Sequence, residues 1–391
     1  MKRTFLFLLG LALLWGGYQY QQAPLFWKRY FYTLSSAGKG ASSKVFDYTE
    51  AVMGGELAEL PVAAEPSIEP ATLQAMADYA AEFDSFALIV LHRGEVQLEW
   101  YRQDYQRASL TQSQSMHKSL QALLVGIAID EGLINSTDEP IGKYLEELKG
   151  SERGNASIRN YLTMASGLRP FEGGFSPFGE AFRGLYASDL DNATLAIEKI
   201  AAAGEAFEYH DANSQLLGMM LSRVFQGSYA DYLQEKLWLP LGAGPAKVWL
   251  DNAGGVAHHN CCLLARAMDW ARVGLLMQNQ GLINGRQVVS AEWIQQQTQA
   301  GLSPHYGFQT WLANNAEPNP RSGGGGYRRS EPFLAEDLYY FSGYGAQRVY
   351  ISPSRELVIV RLGPAAGYFP KIAETWDNSF LFNTAVRGLK N

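Results

Sequence analysis

The stretch that decides the fold lies at residues 115–129 and reads SMHKSLQALLVGIAI. Its second part is a long apolar run, which predicts a buried helix. Ser115 and Lys118 stand at its start, and one helical turn brings their side chains to the same face. A serine hydroxyl becomes a good nucleophile when a neighbouring base takes its proton, and a lysine whose charge is disfavoured in a dry site is one such base. The stretch therefore predicts a Ser–Lys pair on a core helix.

A second copy of the Ser-x-x-Lys pattern lies at Ser36 and Lys39. That copy sits in a Ser/Gly/Ala stretch with no helical pattern to fix its geometry. The context therefore favours Ser115 and Lys118 as the reactive pair.

The composition of the 391-residue chain limits the function classes. Hydrophobic residues make up 47% and charged residues 18%, which is ample for a packed core. The formal net charge of −7, without a long basic run, argues against nucleic acid as a partner. Cys261 and Cys262 are adjacent and lack the spaced partners of a zinc site. His258 and His259 precede them, but adjacent imidazoles point apart on an extended chain, so we predict no metal site there. A mechanism based on serine and lysine also implies no metal or organic cofactor.

The N-terminus has the layout of a secretory signal. Lys2 and Arg3 precede an apolar run from Phe5 to Trp15. This run is short for a membrane span, yet residues 19–22 offer no small-x-small cleavage site. We predict an uncleaved signal-anchor, or transmembrane segment, over residues 1–18, with a cleaved signal peptide as the alternative. Since positive charge stays inside, the rest of the chain is expected on the exported side, the periplasm in a bacterium.

Residues 19–66 are predicted to form a juxtamembrane region and linker. Residues 27–32 are aromatic and basic, which suits either a membrane interface or a packed surface segment. Ser, Gly and Ala are frequent further on, and Pro61 and Pro66 follow. The catalytic domain is then expected to occupy residues 67–391.

Strand patterns lie at both ends of this domain. A helix is expected over Pro70–Glu82, then a hairpin of Phe86–Leu91 and Val96–Tyr101. Residues 115–300 are mostly helical in pattern. Strand patterns return at Tyr306–Leu312, Leu338–Phe341, Gln347–Ser352 and Leu357–Leu362, before a helix over about Trp376–Leu389. The fold class is therefore α/β (α+β), an antiparallel sheet of N- and C-terminal strands with an inserted helical subdomain.

Tyr209 is the candidate proton relay. It lies in the polar turn Phe207–Asp211, before an apolar helix, where a loop residue can reach a cleft. A phenol titrates near pH 10, but a nearby lysine cation would favour phenolate, which could take the proton from Ser115. The alternative is that Tyr209, one of 21 tyrosines, only packs.

Several motifs occur in order along the chain. Ser115–Ser119 is followed by Tyr161–Leu168, by Tyr209-x-Asp211, by Ala267–Gly274 and by Ser342–Gln347. Together they resemble the serine β-lactamase-like superfamily, and most closely its class C and esterase-like branch, which includes 6-aminohexanoate-dimer hydrolases. The resemblance covers about residues 85–363. It implies a β-lactamase or penicillin-binding-protein-like fold and hydrolysis of an amide or ester through an acyl-enzyme.

The resemblance also implies roles for individual residues. Ser115 would be the acylated nucleophile and Lys118 the base. Tyr209 matches the tyrosine of the family's Tyr-x-Asn/Ser element. The backbone N–H groups of Ser115 and Tyr344 would hold the oxyanion. Gly343, beside Tyr344, would then line the substrate site.

Two positions depart from the family pattern. Phe341-Ser342-Gly343 stands where Lys-Thr/Ser-Gly is usual, which removes a cation positioned for a β-lactam carboxylate. Asp211 replaces an amide or hydroxyl residue, and its charge would either favour a cationic substrate group or keep Lys118 protonated.

Trp311 would either shape the substrate pocket or pack in the core.

Two hypotheses follow from the sequence. The first is an exported, membrane-anchored serine hydrolase that acts on a small-molecule amide or ester. The second is a catalytically weak binding or sensor protein that keeps the fold, and Asp211 and the missing lysine are its support. The oligomeric state stays open.

Overall fold

The computed structural model describes residues 2–35, 45, 47–55, 59–170, 176–315, 328–364 and 375–390. The second Ser-x-x-Lys copy, at Ser36 and Lys39, lies outside these residues. The helices are α1 (Lys2–Gln22), α2 (Pro24–Ser35), α3 (Pro70–Glu82), α4 (Met116–Asp130), α5 (Ile158–Leu162), α6 (Glu180–Leu185), α7 (Leu190–Leu195), α8 (Asp211–Phe225), α9 (Tyr229–Leu233), α10 (Ala267–Gln278), α11 (Ala291–Gln297) and α12 (Phe380–Arg387). The strands are β1 (Thr49–Val52), β2 (Ala87–His92), β3 (Glu95–Tyr101), β4 (Thr111–Gln112), β5 (Ala246–Trp249), β6 (Leu264–Ala265), β7 (Leu282–Ile283), β8 (Arg286–Gln287), β9 (Trp311–Leu312), β10 (Tyr339–Gly343), β11 (Gln347–Ser352) and β12 (Leu357–Leu362).

Strands from both ends of residues 67–391 form one antiparallel sheet, as the sequence predicted. Its order is β3-β2-β12-β11-β10-β9. The junction of the two halves is the pairing of β2 with β12, in register from Ala87 opposite Leu362 to His92 opposite Leu357. Every residue of β2 and β12 is buried, because these apolar strands carry helices on both faces. The predicted hairpin is β2 with β3.

The helices cover this sheet in two layers. One layer includes α10. Gly274 lets this helix approach the sheet closely, since a Cβ at this position would lie 2.4 Å from the Val358 side chain. The other face carries α3 and α12, whose apolar side chains share a core with Leu88, Val90 and Ile359. The inserted helical region between β4 and β9 contains α4, and residues Met116 to Ala128 of that helix are all buried.

A second sheet lies beside the first and corrects the predicted linker. Its order is β1-β5-β6-β4. Strand β1 pairs with β5 from Thr49 opposite Trp249 to Val52 opposite Ala246, so residues 49–52 lie within the fold and not in a linker over 19–66. Strand β4 leads directly into the segment before Ser115.

The N-terminal helices differ from the predicted membrane anchor. Among the helices within the described residues, none is both long enough and apolar enough to cross a bilayer. The transmembrane segment predicted for residues 1–18 is therefore not supported, and α1 continues after Trp15 with glycine, tyrosine and glutamine. Helix α2 packs on the protein, with Phe26 and Tyr30 buried against Tyr186 and Trp249. Of the two alternatives for residues 27–32, the packed segment is the one observed.

Two predicted elements are shorter than the sequence pattern suggested. The strand expected at Tyr306–Leu312 is reduced to β9, because the chain turns where the Gly307 N–H donates to the Thr310 carbonyl at 2.9 Å. The closing helix begins at Phe380 and not at Trp376. Neither difference changes the order of the sheet.

Candidate active site

Ser115 and Lys118 meet at the start of α4. Ser115 is the residue that precedes the helix, and the chain reaches it through Gln114 at a φ of 50°. The Lys118 Nζ lies 2.9 Å from the Ser115 Oγ and donates a hydrogen bond to it. The Lys118 side chain is 1% exposed, so the pair lies at the edge of the core with the serine on the outer side. The predicted geometry of one helical turn is present.

The Lys118 ammonium group has four oxygen partners. Besides the Ser115 Oγ, its Nζ lies 2.7 Å from the Asn260 carbonyl oxygen and 2.8 Å from the Asp211 Oδ1. The Tyr209 hydroxyl also forms a hydrogen bond with Lys118. An ammonium group has three N–H donors, so these four oxygens share them. Burial alone would lower the pKa of Lys118, but Asp211 and Tyr209 raise it, and the net pKa is raised.

This raised pKa corrects one expectation from the sequence. Lys118 was expected to lie in a dry site where its charge is disfavoured. The Lys118 side chain is buried, yet the Asp211 carboxylate stabilises its charge. Lys118 is therefore cationic in the resting protein, and of the two roles considered for Asp211, the structure favours the one that keeps Lys118 protonated.

Asp211 lies at the first position of α8, where the partial positive charge of a helix N-terminus stabilises a carboxylate. Burial raises the pKa of Asp211, whereas Lys118 and a hydrogen bond from the Asn260 side chain lower it, and the net pKa is lowered. The Gln121 Nε2 donates to the Ser214 carbonyl at 2.9 Å and ties α4 to α8. The two charged side chains thus come from helices that are joined within the core.

Tyr209 stands in the loop before α8 and faces the same two residues. The loop is held in place by the Glu208 N–H, which donates to the Met164 carbonyl at 2.7 Å. The Lys118 Nζ lies 5.2 Å from the centroid of the Tyr209 ring. Burial raises the pKa of Tyr209, and although Lys118 and a hydrogen bond to Ser115 act to lower it, the net pKa is raised. The resting phenol is therefore neutral, contrary to the phenolate expected from the sequence.

Trp311 packs against the ring of Tyr209. Its ring stacks on the Tyr209 ring at 5.8 Å between centroids, and it meets the Tyr306 ring edge to face at 4.9 Å. The Trp311 side chain is 4% exposed. These contacts match the core-packing alternative, while contact between Trp311 and a substrate stays a prediction.

The turn after β10 lies against the segment that precedes Ser115. A Cβ on Gly343 would lie 2.5 Å from the Ser113 carbonyl oxygen and 3.0 Å from the Gln114 Cβ, so only glycine permits this approach. Gly343 therefore has a packing role, and its substrate contact stays a prediction. Tyr344 follows it in the turn with a side chain 41% exposed. Tyr344 directly follows Gly343, which contacts the nucleophile segment, and its role as an oxyanion donor stays a prediction.

Phe341-Ser342-Gly343 stands where the similar proteins usually have Lys-Thr/Ser-Gly, and its side chains serve the core. Phe341 is fully buried in the core beneath α10, with its ring 6.4 Å from that of Trp270. Ser342 accepts a hydrogen bond at 2.8 Å from Arg348, which is itself fully buried. Neither Phe341 nor Ser342 carries a positive charge, so neither replaces the lysine of the usual pattern.

The histidines near the site belong to the core. The His117 Nε2 lies 2.7 Å from the Tyr229 hydroxyl, so this ring faces the core and not the cleft. His258 stacks on Trp249 with 3.7 Å between ring centroids, and His259 packs against Tyr229. His210, a residue that a polar turn would leave exposed, is fully buried, and its Nδ1 accepts from the Ala212 N–H at 3.1 Å.

Sequence reasoning missed two features of the site. Asn260 supplies a backbone carbonyl to Lys118, and a backbone contact leaves no signature in residue type. The neighbouring Cys261 and Cys262 form a disulfide with each other. Their adjacency was visible in the sequence, but nothing in the sequence placed the pair beside Lys118. Within the described residues, no cluster of histidine, cysteine, aspartate and glutamate could hold a metal ion.

Comparisons with known proteins agree with this architecture. The sequence profile of the β-lactamase family matches residues 73–371. The 6-aminohexanoate-dimer hydrolase of Paenarthrobacter ureafaciens is 28% identical over 337 residues, covering 79% of this chain and 83% of that protein. A Bacillus anthracis structure with a provisional 6-aminohexanoate-dimer hydrolase name aligns with a TM-score of 0.72 at 18% identity, over 91% of this chain and 92% of that one. A family VIII carboxylesterase aligns with a TM-score of 0.62 at 16% identity, over 85% and 100% of the two chains.

Proposed function

Because the chain belongs to the β-lactamase family and is a serine amide or ester hydrolase, we propose that it acts through an acyl-enzyme on Ser115. The observation that carries the proposal is the 2.9 Å contact between the Lys118 Nζ and the Ser115 Oγ at the start of a buried helix. A nucleophile needs a neighbouring group to manage its proton, and Ser115 has both Lys118 and Tyr209.

The proposed reaction begins when the Lys118/Tyr209 pair has lost one proton. The pair then takes the proton of Ser115 while the Oγ attacks the carbonyl carbon of the substrate. The backbone N–H groups of Ser115 and Tyr344 stabilise the oxyanion. The pair returns the proton to the leaving amine or alcohol as the scissile bond breaks. A water molecule, deprotonated by the same pair, attacks the acyl carbon and releases Ser115 and the acid.

The substrate class we propose is a small-molecule amide or ester. The relative from Paenarthrobacter ureafaciens is named for an amide dimer, which supports the inclusion of a linear amide among the substrates tested. Phe341 supports poor hydrolysis of β-lactams, since it leaves no lysine for their carboxylate.

Covalent labelling tests the proposal directly. Intact mass is measured after exposure to a fluorophosphonate probe, and turnover is measured with p-nitrophenyl esters and with the 6-aminohexanoate dimer. We expect one adduct that maps to Ser115 and disappears in Ser115→Ala. Ser36→Ala is the matched control, because it removes the other Ser-x-x-Lys serine, and its adduct should persist. Absence of an adduct and of turnover above the Ser115→Ala background would contradict the proposal.

A second candidate function is a binding or sensor protein of the same fold. The observation that favours it is the ion pair between Asp211 and Lys118, which holds the base protonated. It predicts that a substrate-like amide binds without covalent change. Labelling at several pH values separates the two candidates, since an adduct on Ser115 at any pH supports the hydrolase.

We also propose that the protein is exported, on the support of the basic and apolar N-terminal sequence. Membrane tethering through this segment is the finer part of the proposal. Fractionation of cells and sequencing of the mature N-terminus test it: a protein that begins after residue 17 is released, and one found inside the cell is not exported.

A further inference from the structure

The Cys261–Cys262 disulfide lies in the segment that holds Lys118. These are the only two cysteines of the chain, and in the structure they are bonded to each other. Both side chains are buried, 3% and 1% exposed. Cys262 has a φ of 78°, a backbone conformation that is costly for a residue other than glycine. The disulfide therefore lies in a backbone segment with an unusual path.

The chain is fixed on either side of the disulfide. Before it, the His259 N–H donates to the Gln215 Oε1 at 3.0 Å, which ties the segment to α8. After it, the Ser113 N–H donates to the Leu263 carbonyl at 2.9 Å, and Leu264 of β6 then pairs with β4. Between these two fixed points, the segment passes directly beside the ammonium group of Lys118.

Asn260 is the residue that touches Lys118. Its carbonyl oxygen lies 2.7 Å from the Lys118 Nζ. The disulfide closes a small ring that restricts the backbone torsions between the Cα atoms of Cys261 and Cys262. Because the peptide bond is planar, one rotatable bond separates the Asn260 carbonyl from this restrained ring. Opening the ring would release the ψ of Cys261 and the φ of Cys262, so Cys261 could shift and carry the adjoining Asn260 carbonyl away from Lys118.

We propose that the Cys261–Cys262 disulfide is a redox-sensitive positioning element for Lys118, acting through the Asn260 carbonyl. The proposal rests on the function assigned above to Ser115 and Lys118. Its chemistry needs a dithiol: one thiolate of the dithiol attacks a cysteine sulfur and displaces the other as a thiolate. The second thiolate of the dithiol then closes its own disulfide, which leaves two protein thiols after proton uptake. The disulfide is reduced by two electrons while the dithiol is oxidised.

Two kinetic effects are expected when the ring is open. Movement of the base by a fraction of an ångström to an ångström lowers kcat, by about ten- to a hundredfold, while KM changes little. The loss of an acceptor from the cationic Lys118 also lowers its pKa, because that hydrogen bond favours the charged form. The rising limb of the profile of acylation rate against pH therefore moves to lower pH. A purely structural role would lower kcat without this shift.

The experiment compares the oxidised protein, the dithiothreitol-reduced protein and the variant Cys261→Ser/Cys262→Ser. The reduced sample is desalted without oxygen before assay, since free thiols attack esters. Thiol content is verified by iodoacetamide and intact mass, and thermal unfolding shows which samples are folded. The double variant treated with dithiothreitol is the matched control, because it holds no cysteine and its activity should not respond. Reoxidation with glutathione disulfide should restore the activity of the reduced protein.

The possible outcomes are distinct. Lower kcat with an acid-shifted limb in the reduced protein and in the double variant, reversed on reoxidation of the former, supports the proposal. Equal acylation of the oxidised and fully reduced protein overturns it. If no form is acylated, the function of Ser115 fails instead, and a crystal structure of the double variant then decides the positioning role. An Asn260 carbonyl still within hydrogen-bond distance of the Lys118 Nζ overturns that role, and a displaced carbonyl supports it.

Discussion

Replacement of Asp211 by asparagine gives the sharpest test of the electrostatics of the site. The change keeps the size of the side chain and an oxygen acceptor but removes the charge that lies 2.8 Å from the Lys118 Nζ. Asp211 raises the pKa of Lys118 and also contributes to raising the pKa of Tyr209. Both pKa values should therefore fall in Asp211→Asn. Since the reactive form has lost a proton from this pair, the rising limb of the pH profile should move to lower pH.

The size of the shift follows from the distance between the charges. Two unit charges 2.8 Å apart interact by about 1.5 kcal/mol at the dielectric constant of water and by about 6 kcal/mol at an effective value of 20. At about 1.4 kcal/mol per pH unit, these limits correspond to roughly one and four units. The Asp211 side chain is 37% exposed, so water screens the pair and the lower half of the interval applies. We expect a shift of about one to two pH units.

The assay is the rate of single-turnover acylation by a p-nitrophenyl ester between pH 5 and pH 10. Asp78→Asn is the matched control, because Asp78 is an exposed carboxylate on α3 whose observed partner is Gln74. That variant should keep the profile of the unmodified protein. If the pH at which the acylation rate rises is unchanged in Asp211→Asn, or is higher, the argument that Asp211 keeps Lys118 protonated is refuted.

Three further predictions concern packing, acid stability and specificity. Gly343→Ala should slow acylation by at least about tenfold in single-turnover kinetics, because its Cβ would lie 2.5 Å from the Ser113 carbonyl; Gly184→Ala, with open space around it, should not. Burial lowers the pKa of His117 and of His259 to about 3, so both stay neutral in the fold while the unfolded chain takes up protons below about pH 6.5. The free energy of unfolding, measured with urea, should therefore be lower at pH 5 than at pH 7 by roughly 2 kcal/mol per histidine. Equal free energies of unfolding at the two pH values would contradict this. Nitrocefin should be hydrolysed far more slowly than p-nitrophenyl esters, since Phe341 supplies no cation; comparable rates would contradict this.

The fold was accessible from the sequence because its signals are local. The alternation and turn at residues 86–101 predict a hairpin, and the apolar run at Leu357–Leu362 needs a partner on each side, which the hairpin and β11 supply. Helix α3 begins at a proline and follows its predicted bounds, Pro70–Glu82. Strand β1 was missed because four residues with a mixed pattern carry no periodic signal, and their pairing with β5 joins positions far apart in the chain.

The candidate site was only partly accessible, since its electrostatics depend on distances between separate helices. Ser115 and Lys118 share one helical turn, so their contact follows from spacing alone. Whether Lys118 is neutral or charged depends on Asp211, which lies on α8 and meets Lys118 only in the folded core. The sequence left two roles open for Asp211 because the charge of a residue is visible in the sequence and its partner is not.

The oxygen partners of Lys118 also bear on whether the protein is an enzyme or a binding protein. When the ammonium loses a proton, one of its partners must donate a hydrogen bond to the lone pair of the amine. The Asn260 carbonyl and the ionised Asp211 carboxylate can only accept, whereas the hydroxyls of Ser115 and Tyr209 can turn and donate. The contacts with Asn260 and Asp211 therefore direct the lone pair of neutral Lys118 at the hydroxyls of Ser115 and Tyr209. These contacts delay deprotonation but orient the base once it occurs. A hydrolase built this way should be acylated faster as the pH rises, and a binding protein should show no adduct at any pH.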